Sequence, residues 1–111
     1  MYYDFGDVLL PQELKVDMDD TFIFRTPGLT AGVMSLDGRV KVDSLITFFE
    51  NKMPVDGWRQ VSSFKAPRTM MLFSTQTRWC VISISEGRFS TNVKIWVAPA
   101  LEDAQGSLPR G

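Results

Sequence analysis

The clearest periodic stretch lies in mid-chain, where Val42, Leu45, Ile46, Phe49 and Met53 recur at three- and four-residue steps and so share one face of a helix. Asp43 or Ser44 can cap its start, where orphan N–H groups and the positive end of the dipole favour an oxygen. Lys52 suits the last turn, and Pro54, which has no N–H and turns Met53 away from helical angles, is expected to stop it. The element should run about ten to eleven residues, roughly 16 Å at ~1.5 Å per residue. Phe48 falls off the stripe, at the margin of whatever the helix covers.

Elsewhere the pattern shortens to strand length. Residues 21–26 (TFIFRT) are β-branched and aromatic, and Pro27-Gly28 after them suits a type II turn with Gly28 at positive φ. Residues 29–36 return and end at Asp37-Gly38. After the helix, residues 57–65 open a run of strands that continues through 69–74 and 78–85 and ends with 91–97, where Pro99 stops it. The expected order is β-β-α-β-β-β, an α+β domain with a mostly antiparallel five-stranded sheet and one helix packed on one face.

Alternation assigns the faces of the last two strands. Cys80, Ile82 and Ile84 form the better core face of one, opposed by Trp79, Val81, Ser83 and Ser85, while Val93, Ile95 and Val97 oppose Lys94 and Trp96 in the other. The second face, with Trp79, Val81 and Trp96, is more apolar than an idle solvent face. Either the N-terminal arm covers it or something else does. Residues 1–15 read as that arm or tether, with Tyr2, Tyr3, Phe5, Val8, Leu9 and Leu10 lying along the domain; residues 16–99 are the domain, and residues 100–111 a flexible polar tail.

Composition narrows the class. The 111 residues suit one domain, and 44% hydrophobic with 23% charged is neither disordered nor membrane-spanning. Met1 is followed by YYDFGD, with neither the basic start nor the apolar run of a secretory signal. The single cysteine, Cys80, has no internal disulfide partner and reads as a buried small hydrophobe. Net charge is −1, yet residues 1–56 hold ten acids and five bases while residues 57–111 hold three acids and seven bases. A sheet that interleaves the halves is expected, making these charges cross-strand complements; a sheet that separates them would leave a surface dipole.

Catalytic chemistry has little to stand on. The absence of histidine removes Ser-His-Asp and Cys-His arrangements and the commonest metal ligand, and a mid-strand Cys80 lacks the exposure of a nucleophile. Asp17 to Thr21 spells D-x-D-x-T, similar to the nucleophile loop of haloacid-dehalogenase-type phosphatases. That family implies a buried parallel strand before the motif; here only Leu14, Lys15 and Val16 precede it and antiparallel hairpins follow, so these acids read as a solubilising loop. Asp17, Asp19 and Asp20 lack the glycine turn and distal glutamate of a calcium loop. Aromatics on a sheet can stack bases, but a pI near 5.3 argues against a phosphate-binding surface. No enzyme activity, cofactor, metal or nucleic acid is expected.

The phrases LPQELKVD, FIFRTPGLTAGV, GRVKVDSLITFFENKMPVDGW, SSFK and VKIWVAP lie between Leu10 and Pro99, and the whole segment from about Val8 to Pro99 resembles a group of small uncharacterised bacterial proteins, many carried as envelope lipoproteins. The resemblance implies no catalytic residues. It implies an export signal and a lipidated cysteine shortly before Tyr2, a periplasmic, lipid-anchored native form, and membrane association only through that anchor, which this chain does not carry. The expected function is a non-catalytic binding or assembly module of the cell envelope meeting an unknown envelope protein through Trp79, Trp96, Lys94 and Phe48. The alternative is a small-ligand or lipid carrier with a pocket between helix and sheet lined by Phe49, Met53, Met70 and Met71. Exposed edge strands make a monomer or weak dimer the expected state.

Overall fold

The computed structural model describes residues 5–27, 29–65 and 68–99; the expectations for Tyr2, Tyr3, Gly28, the turn at 66–67 and the tail 100–111 lie outside the described residues. The fold is α+β, with one helix against an antiparallel sheet. The strands are β1 (Lys15–Thr26), β2 (Leu29–Gly38), β3 (Arg59–Phe64), β4 (Thr69–Ser74), β5 (Arg78–Glu86) and β6 (Thr91–Pro99), and helix α1 is Val42–Lys52. Their order across the sheet is β1-β2-β6-β5-β4-β3. This corrects the five-stranded expectation: six strands are present, and four rather than three follow the helix. The segments expected after the helix, 57–65, 69–74, 78–85 and 91–97, correspond to β3 to β6, so the correction falls on the count; β3 is an edge strand whose six residues are all exposed.

Helix α1 buries Leu45, Ile46 and Phe49, and Met53 beyond its end is buried with them. Its start differs from expectation, since Lys41 is the N-cap residue and no side chain caps it; the Lys41 carbonyl accepts from the Leu45 N–H at 3.1 Å. Its end differs too. Met53 keeps helical angles (φ −60°, ψ −42°), because Pro54 begins a short 3-10 turn (Pro54–Asp56) instead of forcing an extended residue before it. Gly57, at φ +92°, then makes the left-handed step that delivers Trp58 to the core.

The first strand begins earlier than expected. Its register jumps from Asp17 opposite Ser35 to Phe22 opposite Val33, so residues 18–21 bulge out against one residue of β2. Asp17 Oδ1 accepts the Asp19 N–H at 3.0 Å; the Thr21 hydroxyl donates to the Asp17 carbonyl at 2.7 Å and accepts the Ser35 N–H at 3.1 Å. The acidic run is therefore part of the strand, with Thr21 replacing the ladder bond lost at the bulge. Gly32 accommodates the crossing: it sits at φ +144°, and a Cβ there would lie 2.1 Å from the Phe22 carbonyl oxygen.

The segment before β1 is core rather than tether. Phe5, Val8, Leu10 and Leu14 are buried in the same cluster as α1 and the inner sheet face. The Trp58 indole N–H donates to the Asp7 carbonyl at 2.8 Å, and Arg78 Nη2 donates to Asp7 Oδ1 at 2.7 Å with its guanidinium 5.0 Å from the Trp58 ring centre. From Phe5 onward, then, the expected arm is clamped to the helix side of the sheet. No helix among the described residues is long and apolar enough to cross a membrane.

Candidate functional site: the outer face of the sheet

Alternation along each strand sends one set of side chains toward α1 and the other away from it. The inner set includes Met34, Leu36, Met71, Phe73, Cys80, Ile82, Ile84, Val93, Ile95 and Val97, all buried as expected for the last two strands. The outer set is read from the register. One rung crosses all six strands as Phe22, Val33, Trp96, Val81, Leu72 and Ser62. The next runs Asp17, Ser35, Lys94, Ser83, Met70 and Phe64. On the other side of the first rung, Phe24 lies opposite Ala31, and Trp79 lies between Ala98 and Ser74.

This face is apolar and uncovered by any described segment. Phe22 is 71% exposed, Phe24 54%, Phe64 51%, Trp79 40% and Trp96 39%, with Val33, Val81, Leu72 and Met70 half-buried between them. An aromatic side chain offers ~150–250 Å², so these five rings leave on the order of 500 Å² in one place, near the top of the ~300–600 Å² of a monomer's largest patch; the four aliphatic neighbours add to it. One end of the face is polar instead. There the Asn92 amide donates to Ser35 Oγ, the Leu36 carbonyl and Asp37 Oδ1 at 3.0–3.2 Å.

Of the residues expected at a partner surface, Trp79, Trp96 and Lys94 share this face. Phe48 does not. It lies on α1, on the opposite side of the sheet, half-buried against the core with its ring 5.3 Å from that of Phe49 in an edge-to-face contact. The four expected pocket residues do not surround one space. Phe49, Met53 and Met71 are fully buried and fill the layer between helix and sheet, while Met70, next to Met71 on one strand, faces the outer side. Three surface clefts, one of them lined by Arg39, Lys41, Gly87, Phe89 and Thr91, have none of the four in their walls.

Phe22, Phe24, Val33, Leu72 and Phe64 were not singled out by the sequence. The signal was there in part, because TFIFRT is apolar at both strand parities and leaves a hydrophobic row on whichever face is not core.

Other chemistry is sparse. Cys80 is fully buried, and burial pushes its thiol well above the ordinary range despite the nearby Arg78 charge. Asp17, Asp19 and Asp20 do not converge; among the described residues no three His, Cys, Asp or Glu side chains are grouped to hold a metal ion.

The halves of the chain are not interleaved, against expectation. Strands β1 and β2 form one side of the sheet and β6 to β3 the other, meeting only at the β2–β6 ladder. Strand β1 brings Asp17, Asp19 and Asp20 to one edge, against Lys15 and Arg25; β3 and the turn after it bring Arg59, Lys65 and Arg68 to the other, with no acid.

Comparison of the chain with protein-family models, with curated proteins and with solved structures gave no match in any of the three.

Proposed function

We propose that this domain is a non-catalytic binding or assembly module whose outer sheet face is the binding surface. One observation carries the reading: the Phe22–Phe24–Trp96–Trp79–Phe64 field, contiguous across six strands and left uncovered by the helix and by residues 5–14. Leaving such a field in water is costly at ~25 cal/mol per Å², and aromatic-rich, charge-poor centres are what protein interfaces are made of. The buried, protonated Cys80 supports a non-catalytic role. Placement in the bacterial envelope, through a lipid anchor outside this chain, rests on the resemblance carried by the phrases between residues 8 and 99.

The test is site-specific photo-cross-linking in cells of the source organism, with the reactive group at Trp96 on the outer face or, as control, at Glu50 on the exposed side of α1. Protein adducts from position 96 and none from position 50 are expected. No adduct from 96, or equal adducts from both, would remove the outer face as the binding surface.

A further inference from the structure

The occupant of the outer face can be named from charge, size and register. We infer that it is the same face of a second copy of this chain, packed sheet on sheet across a two-fold axis that runs parallel to the strands; this deepens the proposed function and rests on it. Two copies of one sheet share the same twist, which lets them pack aligned at about −30° and ~10 Å apart. The apolar field also suits the size. On the order of 500 Å² from the aromatics, enlarged by the aliphatics between them, approaches the ~800 Å² per partner of a standard stable interface.

Charge selects the axis. A two-fold axis perpendicular to the strands would lay β1 on the second copy's β1 and β3 on its β3, the acid-bearing edges together and the basic edges together. An axis parallel to the strands lays β1 on β3, β2 on β4 and β6 on β5, because the order is β1-β2-β6-β5-β4-β3. On that register Asp17 lies over the second copy's Phe64 with Lys65 next to it, so Asp17, Asp19 and Asp20 come to the end of the edge that carries Lys65 and Arg68, while Arg59, on the Trp79 rung, lies at the other end over Phe24. Size agrees at the centre, where the axis passes between β6 and β5. Trp96 meets the second copy's Val81, and Trp79 meets its Ala98, large over small in each case.

Sedimentation equilibrium of the full chain from about 1 to about 200 µM, a range that separates transient from stable dimers, tests the inference. The expected mass is about twice 12.6 kDa. Trp96→Lys, which places an unpaired charge at the centre, is expected to raise the dimer dissociation constant at least about 30-fold with the far-UV circular dichroism unchanged. The double variants Asp19→Lys/Asp20→Lys and Lys65→Glu/Arg68→Glu should each self-associate weakly, and mixing them should recover association at least about tenfold. A monomer at the top of the range overturns the inference, whether or not it floats with phosphatidylglycerol vesicles. So does a dimer indifferent to Trp96→Lys, or a charge swap that recovers nothing. A monomer that still gives position-96 adducts to another protein overturns the second copy alone; a monomer without such adducts overturns the proposed function as well.

Discussion

The two faces of this sheet are built from nearly the same residue types and meet different fates. Cys80, Ile82, Val93 and Ile95 on the inner face are shut in by α1 and by residues 5–14, while Val81 and Trp96, one position away on the same strands, and Val33 and Phe22 on β2 and β1 have nothing described over them. Hydrophobicity alone therefore does not define the core of this domain. The core is the apolar face to which the chain's own segments are tied, here by Trp58 and Arg78 to Asp7, and the other face is left for something else.

The largest effect should come from breaking the inner face. Phe49→Ala removes a fully buried ring beneath α1 and is expected to cost ~3–5 kcal/mol in urea unfolding, through lost transfer energy and the cavity left behind. If Phe49→Ala and Trp96→Ala were equally costly in dilute solution, the distinction between the faces would fail.

Raising the pH probes the same face without opening a cavity. Below the ordinary thiol value of 9.0, Cys80 is protonated whether the chain is folded or unfolded; above it the unfolded chain releases the proton and the folded chain keeps it. Stability from this group is full below pH 9 and should fall by about 1.4 kcal/mol per pH unit above it. Cys80→Ala should remove that slope, measured as the difference in unfolding midpoint between the two proteins from pH 8 to 10.5.

Smaller effects mark the join between the two faces at the β1 bulge. Thr21→Val keeps the shape and removes a hydroxyl with two backbone partners, leaving the Ser35 N–H unpaired. A loss of ~1–2 kcal/mol and faster hydrogen exchange at Ser35 are expected. Smallest of all, Trp96→Ser should shift the stability of the dilute monomer by less than ~1 kcal/mol while leaving its spectrum intact. A loss comparable to that of Phe49→Ala would show that the outer face is part of the monomer's own core.

What was legible in the sequence follows the same division. The helix could be read because Leu45, Ile46, Phe49 and Met53 keep a 3.6-residue period, and the inner faces of β5 and β6 because core burial enforces alternation. Residues 5–14 have no period, since their burial is set by one indole and one guanidinium far along the chain, so they resembled a tether. Aspartates disfavour strands, which hid the first half of β1; only the bulge and the Thr21 hydroxyl make them tolerable there. All four strands after the helix are legible as segments, 57–65, 69–74, 78–85 and 91–97; the order β-β-α-β-β-β undercounts them by one. Met70 and Met71 were assigned to one pocket although neighbours on a strand must face opposite ways. Strand order was beyond reach, and with it the separation of acidic and basic edges, because no local pattern says that β6 inserts between β2 and β5.

The central claim is that the outer face is covered in the associated protein and bare in the dilute one. The three indole N–H groups report on it directly, because Trp58 is 2% exposed on the inner side while Trp79 and Trp96 lie on the outer face. A soluble gadolinium chelate broadens the NMR signals of exposed indoles. At low protein concentration Trp79 and Trp96 should be bleached and Trp58 spared, and as concentration rises Trp79 and Trp96 should become protected together while Trp58 stays as it was. Bleaching of Trp79 and Trp96 that persists undiminished at the highest concentration would contradict the account.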